Sequence, residues 1–157
     1  MSANHATEIT VLIADDDDGH AMLIQEHLED AGIHNPITRF RDGAEAWAFL
    51  SGEGLPAGQP GRDPGQAYLL LLDIRMPRMD GVEVLRRIKA HADLRALPVI
   101  MLTTTDDPRE VAECYALGCN SYVTKPVVFE DFSEVIKRLG MFISIIAITP
   151  PKVSLQR

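Results

Sequence analysis

Apolar residues fall in short runs, and the segments between them repeat at helical period. Ile9-Thr-Val-Leu-Ile-Ala14 is rich in β-branched residues and apolar on both faces, as a strand covered on both sides of a parallel sheet would be. Four aspartates, Asp15 to Asp18, and Gly19 end it. From His20 onward Ala21, Ile24, Leu28 and Ala31 share one helical face, which Gly32 stops. Pro36 to Phe40 is a second, more polar strand. Asp42-Gly43 then turns into a helix with Ala46, Phe49 and Leu50 inward and Trp47 near its flank. Residues 52–67 hold five glycines and three prolines in sixteen positions, a density that neither helix nor sheet tolerates, so a mobile loop is expected. Tyr68 to Leu72 is the third and most apolar strand. Asp80-Gly81 starts a helix with Val82, Leu85 and Ile88 at helical spacing and Glu83–Arg87 as an i,i+4 surface pair. Pro98 to Leu102 is the fourth strand, Pro108 to Leu117 a helix stopped by Gly118, and Ser121 to Thr124 a short fifth strand. A final helix runs from about Phe129.

Five strands alternating with five helices over short connections require parallel pairing through right-handed crossovers. The expected fold is a doubly wound α/β sheet with helices on both faces. The length of 157 residues suits one domain, divided here into a tail at 1–7, a domain at 8–140 and an extended C-terminal helix and tail at 141–157. With 15 Lys+Arg against 23 Asp+Glu the net charge is −8, which argues against non-specific nucleic-acid binding and against adsorption to anionic lipid. Cys114 and Cys119 are too few for a disulfide framework or a zinc site and read as small buried apolar residues. Met1 to His5 carries no signal-like pattern, and the longest apolar-rich run, Met141 to Ile148, is too short to span a bilayer as a helix. A reduced, cytoplasmic protein is expected.

Ligands of such sheets bind outside the carboxyl ends of the strands. Asp15 and Asp16 end the first strand, Asp73 the third, Thr103 the fourth and Lys125 the fifth. Three acids in one pocket raise each other's pKa unless they are neutralised. Lys125 supplies one positive charge, and a hard divalent cation such as Mg²⁺ suits the remainder. A carboxylate beside such a cation and an ammonium, with a hydroxyl nearby, is a competent phosphoryl acceptor. Asp15 to Asp18 also invite a simpler account as helix caps, which explains Asp17 or Asp18 but not a pair directly at a strand end. No phosphate-cradling glycine motif for a nucleotide occurs. The five histidines, His20 among them, lack ligand spacing and read as surface or incidental.

These residues resemble the receiver domain of two-component response regulators. The resemblance rests on Asp15-Asp16, Asp73 within Leu-Leu-Asp-Ile-Arg-Met-Pro-Arg-Met-Asp-Gly, Thr103, and Tyr122-Val-Thr-Lys125-Pro126, in order across residues 8 to about 140. The insert before the third strand, Asp93-Leu-Arg-Ala-Leu-Pro98 and the apolar C-terminus are similar to stand-alone regulators paired with phytochrome-type kinases. The resemblance implies a flavodoxin-like, three-layer sheet of strand order 2-1-3-4-5. It implies Asp73 as phosphoacceptor, Mg²⁺ held by Asp16 directly, by Asp15 through water, by Asp73 and by the backbone carbonyl of Arg75, and Lys125 with a cis bond to Pro126. Thr103 would be the switch hydroxyl, with Thr104 as the alternative, and Tyr122 the aromatic that moves inward with it. The implied partner is a sensor histidine kinase, in this sub-family a bacterial phytochrome.

A different reading is a Mg²⁺-dependent phosphohydrolase with an aspartate nucleophile. Such enzymes carry a second acid two residues on, where this chain has Arg75, which cannot exchange that proton. An enzyme is therefore not expected, and output falls to protein contact or phosphorelay. At the C-terminus Phe132, Val135, Ile136, Leu139, Phe142, Ile143 and Ile146 follow one helical face, while Met141, Ile145 and Ile148 lie off it. A helix over 129–148 would be about 30 Å long. Its end either curls onto its own domain or, as we expect, packs against a second copy in a homodimer.

Overall fold

The computed structural model describes residues 8–125, 134–139 and 141. In chain order the elements are β1 (Ile9–Ala14), α1 (Asp18–Asp30), β2 (Ile37–Phe40), α2 (Gly43–Ser51), β3 (Ala67–Leu72), α3 (Gly81–Ala90), β4 (Val99–Thr103), α4 (Pro108–Leu117) and β5 (Ser121–Thr124). Residues 134–139 are helical as well. The strands form one parallel sheet, as the apolar runs imply, in the order β2-β1-β3-β4-β5, as the resemblance implies. The division into domain and tails places 1–7 and 142–157 outside the described residues, together with the Lys125–Pro126 bond and Phe132, Phe142, Ile143, Ile145, Ile146 and Ile148.

The pleat sends alternate strand residues to opposite faces. Leu12, Ala14, Leu70, Leu72, Val99 and Met101 pack with Leu50, Leu85, Ile88 and Cys114 under α2, α3 and α4. Val11, Ile13, Leu69, Leu71, Ile100 and Leu102 meet Ile24 and Leu28 of α1 and Ile136 and Leu139 of the helical segment at 134–139. Strands apolar on both sides are thus covered on both sides. Each of α1 to α4 is preceded by an aspartate whose side chain accepts a backbone N–H of the first turn: Asp17 from His20, Asp42 from Glu45, Asp80 from Glu83 and Asp107 from Arg109. Such caps satisfy donors that have no partner within the helix.

Trp47 corrects the expected face of α2. The buried stripe is Gly43, Ala46, Trp47 and Leu50, spaced i, i+3, i+4, i+7. Trp47 packs there with the Arg87 guanidinium 5.9 Å from its ring centroid and His91 edge-on at 6.1 Å. Phe49 is the flanking residue, 5.2 Å from Phe40 and 5.7 Å from Tyr68 between ring centroids. The stretch before β3 contains no helix or strand, as its glycines and prolines imply. It is tied back at several points: Arg62 donates to the carbonyls of Phe49 (2.9 Å) and Leu50 (3.0 Å), and Gln66 to Glu8 (2.6 Å).

The connection between β3 and α3, residues 73–80, runs close against the first residues of α2 and α3. Gly43 and Gly81 make that approach possible, since a Cβ on either would overlap the carbonyl oxygen of Met79 or Asp73 respectively. Within this connection Arg78 has φ +68°, a region that side chains rarely enter. Its guanidinium is held by the buried carboxylate of Asp42.

Candidate functional site

The carboxyl ends of β1, β3, β4 and β5 bring together the residues singled out from the sequence. Parallel pairing in register does this: Ala14 stands beside Leu72, Leu72 beside Met101, and Thr103 beside Thr124. The residues following β1, β3 and β5 and the last residue of β4 therefore stand on the same edge. One carboxylate oxygen each from Asp15, Asp16 and Asp73 lies within 4.8 Å of the others. Asp15 and Asp73 are buried, whereas Asp16 is exposed. Lys125, with its side chain 1% exposed, reaches in from the end of β5. Its ammonium donates to Asp15 Oδ2 at 2.5 Å and to Asp73 Oδ2 at 3.2 Å.

Backbone donors fix the other carboxylate oxygens. Asp73 Oδ1 accepts from the Ile74 N–H at 2.7 Å and Asp15 Oδ1 from the Asp17 N–H at 3.0 Å. Burial pushes the Asp15 carboxyl above its ordinary range; the Lys125 charge opposes that rise, and Asp73 adds to it. Arg39 of β2 holds the turn from outside. Its guanidinium donates to the Asp15 carbonyl from Nε (3.1 Å) and Nη2 (2.7 Å) and to Asp18 from Nη1 (2.6 Å). Nothing in the strand pattern marked Arg39, because its use depends on β2 lying next to β1.

Thr103 is fully buried at the end of β4, and its carbonyl accepts the Lys125 N–H at 2.7 Å. Thr104 points out to solvent, so register separates the two candidates and leaves Thr103 facing inward. Tyr122 is half-buried, and its hydroxyl donates to the Thr105 carbonyl at 2.6 Å. Arg75 turns its side chain toward α4, where it pairs with Glu110 at 2.9 Å. His20 contradicts its reading as incidental. Its Nδ1 stands 3.1 Å from the Lys125 ammonium. The available signal was its place in the first turn of α1, on the edge where ligands bind. Cys114 and Cys119 are both buried and free, as expected.

Burial pushes the Tyr122 hydroxyl up to about 12 and the Cys114 thiol up to about 11. Both groups hold their protons more tightly in the folded chain than at the ordinary values of 10.0 and 9.0. The stability they lend is complete below those ordinary values and is lost as pH rises through the folded ones. Denaturation midpoints should therefore fall steeply between about pH 9 and 12. Tyr122→Phe should flatten the upper part of that fall and remove a tyrosinate absorbance step near pH 12; an unchanged step would assign it to another tyrosine.

A buried ammonium shared by two carboxylates, beside an exposed third, suits acceptance of an anion whose charge must be neutralised. Among the described residues no helix is long and apolar enough to cross a membrane. The family model of the response regulator receiver domain matches residues 11–137. A receiver domain from Rhodospirillum rubrum is 38% identical, with TM-score 0.80 over 93% of this chain and 99% of that one. The phosphorylated cyanobacterial phytochrome response regulator RcpA is 31% identical, with TM-score 0.77 over 91% and 98%. Response regulator Rcp1 of Synechocystis sp. is 33% identical over 84% of this chain and 86% of its own length. The Mn²⁺-bound form of Rcp1 superposes with TM-score 0.73 at 32% identity, over 94% and 99% of the two chains. With its strand order, its strand-end acids and a family match over most of its length, the chain belongs to the response regulator receiver domains.

Proposed function

We propose that a sensor histidine kinase of the phytochrome class phosphorylates this regulator on Asp73, with Mg²⁺ as the metal. The observation that carries the reading is the Lys125 ammonium lying between Asp15 and Asp73, with the exposed Asp16 alongside. Asp73 Oδ2 attacks the phosphorus of a phosphohistidine, forming an O–P bond as the P–N bond breaks. The imidazole leaves with that electron pair and takes up a proton. Lys125 shifts its donor from the carboxylate to the incoming phosphoryl oxygens, and the Ile74 N–H keeps the carboxyl group aligned. The three carboxylates fit a hard divalent cation, because two are fixed by hydrogen bonds and Asp16 opens to water, which Mg²⁺ retains in its shell. Asp16, Asp73, Asp15 through water and the Arg75 carbonyl would hold it. When bound, the ion offsets charge on the transferring oxygens.

Support for the partner comes from the relatives, RcpA being a phytochrome response regulator crystallised phosphorylated and Rcp1 a regulator crystallised with Mn²⁺. Thr103, buried at the same edge, is positioned to follow the phosphoryl group, and Tyr122 beside Thr105 to report its movement on the α4–β5 face. The chain is read as a signalling module, with no turnover of small phosphate esters. The test is transfer from a panel of phytochrome-type kinases with and without a chelator. Mg²⁺-dependent label on the peptide containing Asp73 is expected; label elsewhere, or steady hydrolysis of p-nitrophenyl phosphate, overturns the reading.

Asp16→Ala should weaken Mg²⁺ binding by at least about tenfold, because it removes the carboxylate most open to water. Without metal the variant should melt at or slightly above the parent, since like charges are fewer. Thermal melts with and without Mg²⁺ measure both; a metal-induced shift equal to the parent's removes Asp16 from the site. The end of the C-terminal helix, where Met141 is exposed off the sheet-facing side, is read as the dimer contact. Light scattering should give a dimer for the full chain and a monomer for a folded truncation after Gly140; a folded truncation that stays dimeric moves the contact elsewhere.

A further inference from the structure

We infer that His20 is a positioning residue for phosphoryl transfer, acting by holding the third N–H of the Lys125 ammonium. The inference rests on the reading of Asp73 as phosphoacceptor and extends it to a residue outside the acids, hydroxyl and lysine already described. An ammonium has three N–H donors and no acceptor. In this site all three are directed at acceptors: Asp15 Oδ2 at 2.5 Å, Asp73 Oδ2 at 3.2 Å and His20 Nδ1 at 3.1 Å. Because Lys125 can only donate, Nδ1 of His20 must offer its lone pair there, which puts the ring proton on Nε2.

The positions of the three acceptors give His20 its role. Asp15 and Asp73 stand at the ends of neighbouring strands, β1 and β3, so both pull the ammonium toward the sheet edge. His20 approaches from the first turn of α1, where the Asp17 cap accepts its backbone N–H at 3.0 Å. The cap fixes the start of the helix, and the helix fixes the imidazole. With two N–H bonds anchored on Asp15 and His20, the third can only point at the Asp73 carboxylate or at a group bound to it. The Lys125 side chain is 1% exposed, while that of His20 is 37% exposed. The imidazole therefore stands on the solvent side of a buried charge. Without it, the third donor loses its protein acceptor, and only Asp15 and Asp73 remain to set the rotation of the ammonium about the Cε–Nζ bond. Asp17 Oδ2 lies 3.8 Å from the same Nδ1, too far for a hydrogen bond, so it does not compete with Lys125 for that atom.

Two substitutions separate positioning from mere bulk. His20→Leu removes the acceptor and keeps an apolar side chain of similar reach. His20→Asn places a carbonyl oxygen near the position of Nδ1 and so restores an acceptor. With acetyl phosphate as donor and saturating Mg²⁺, the labelling rate should fall about tenfold in His20→Leu, as expected for losing one hydrogen bond to a charged group. It should return to within about threefold of the parent in His20→Asn, with the Mg²⁺ dissociation constant unchanged in both. A His20→Leu rate equal to the parent's, or an Asn variant as slow as the Leu one, overturns the inference. So does a parallel loss of Mg²⁺ affinity, which would make His20 part of the metal site. Nitrogen-15 shifts of the unmodified protein supply an arm that needs no variant: Nδ1 should resonate as an unprotonated acceptor, and a proton on Nδ1 overturns the assignment. If the parent takes no label at all, the reading of Asp73 fails, and the nitrogen shifts still decide the contact with Lys125.

Discussion

Replacing Asp73 with Asn leaves a folded protein that takes no label. The carboxylate at this position ends the most apolar strand of the sheet, and its two oxygens have separate tasks. Oδ1 is fixed by the Ile74 N–H, and Oδ2 faces Lys125. An amide keeps the shape and can still accept from Ile74, but it carries no negative charge with which to attack phosphorus. Labelling should drop by about a thousandfold or more, to background. Stability should move by no more than about 1 kcal/mol. Lys125 keeps its shorter bond to Asp15, and one charge leaves a crowded acidic pocket. Radiolabel with urea denaturation on the same preparations checks both halves. Persistent label would move the nucleophile to a neighbouring acid, and an unfolded variant would show that Asp73 supports the fold.

Gly81→Ala should have the largest effect on stability. Gly81 is the first residue of α3 and donates its N–H to the Ile74 carbonyl at 2.8 Å. A Cβ there would overlap the carbonyl oxygen of Asp73 and stand 3.0 Å from the Ile74 Cα. Both neighbours are backbone and cannot swing aside as a side chain could. The start of α3 must therefore part from the end of β3, where the candidate nucleophile sits. A loss of about 4 kcal/mol or more is expected. Gly65→Ala is the control, because its Cβ would meet only Asp63 Oδ1, at 3.6 Å. It should change stability by less than about 0.5 kcal/mol. Equal denaturation midpoints for the two variants would show that the connection after β3 yields more readily than its packing implies.

The strands were legible because burial on both faces leaves no room for polar residues, and the polar residue ending each run stood out against it. Asp15, Asp73, Thr103 and Lys125 were found in this way. The starts of α1, α2 and α3 were legible for a local reason: an aspartate before each one answers the unpaired N–H groups of the first turn. What could not be read depended on distant segments. Trp47 fits a helical stripe with Ala46 and Leu50, but Phe49 fits one flanking it, and only the packing of α2 beside α3 and the Arg87 side chain selects Trp47 for burial. Arg39 matters only because β2 lies beside β1, and Arg78 enters its unusual backbone region where Asp42 waits to hold it. His20 was passed over for the same reason. Its partner is 105 residues away, and a histidine in a first turn has no periodicity to betray it.

The ion pair that closes the site joins Asp15 to Lys125, residues separated by 110 positions in the chain. The acids leave the ribosome early, and the ammonium that answers them arrives only when β5 docks on β4. Contacts of such long range form late, since their loops must close before they return any free energy. Until β5 is in place, Asp15 and Asp73 stand without the ammonium they share. Closure of the acidic edge thus depends on the last strand of the sheet to be made.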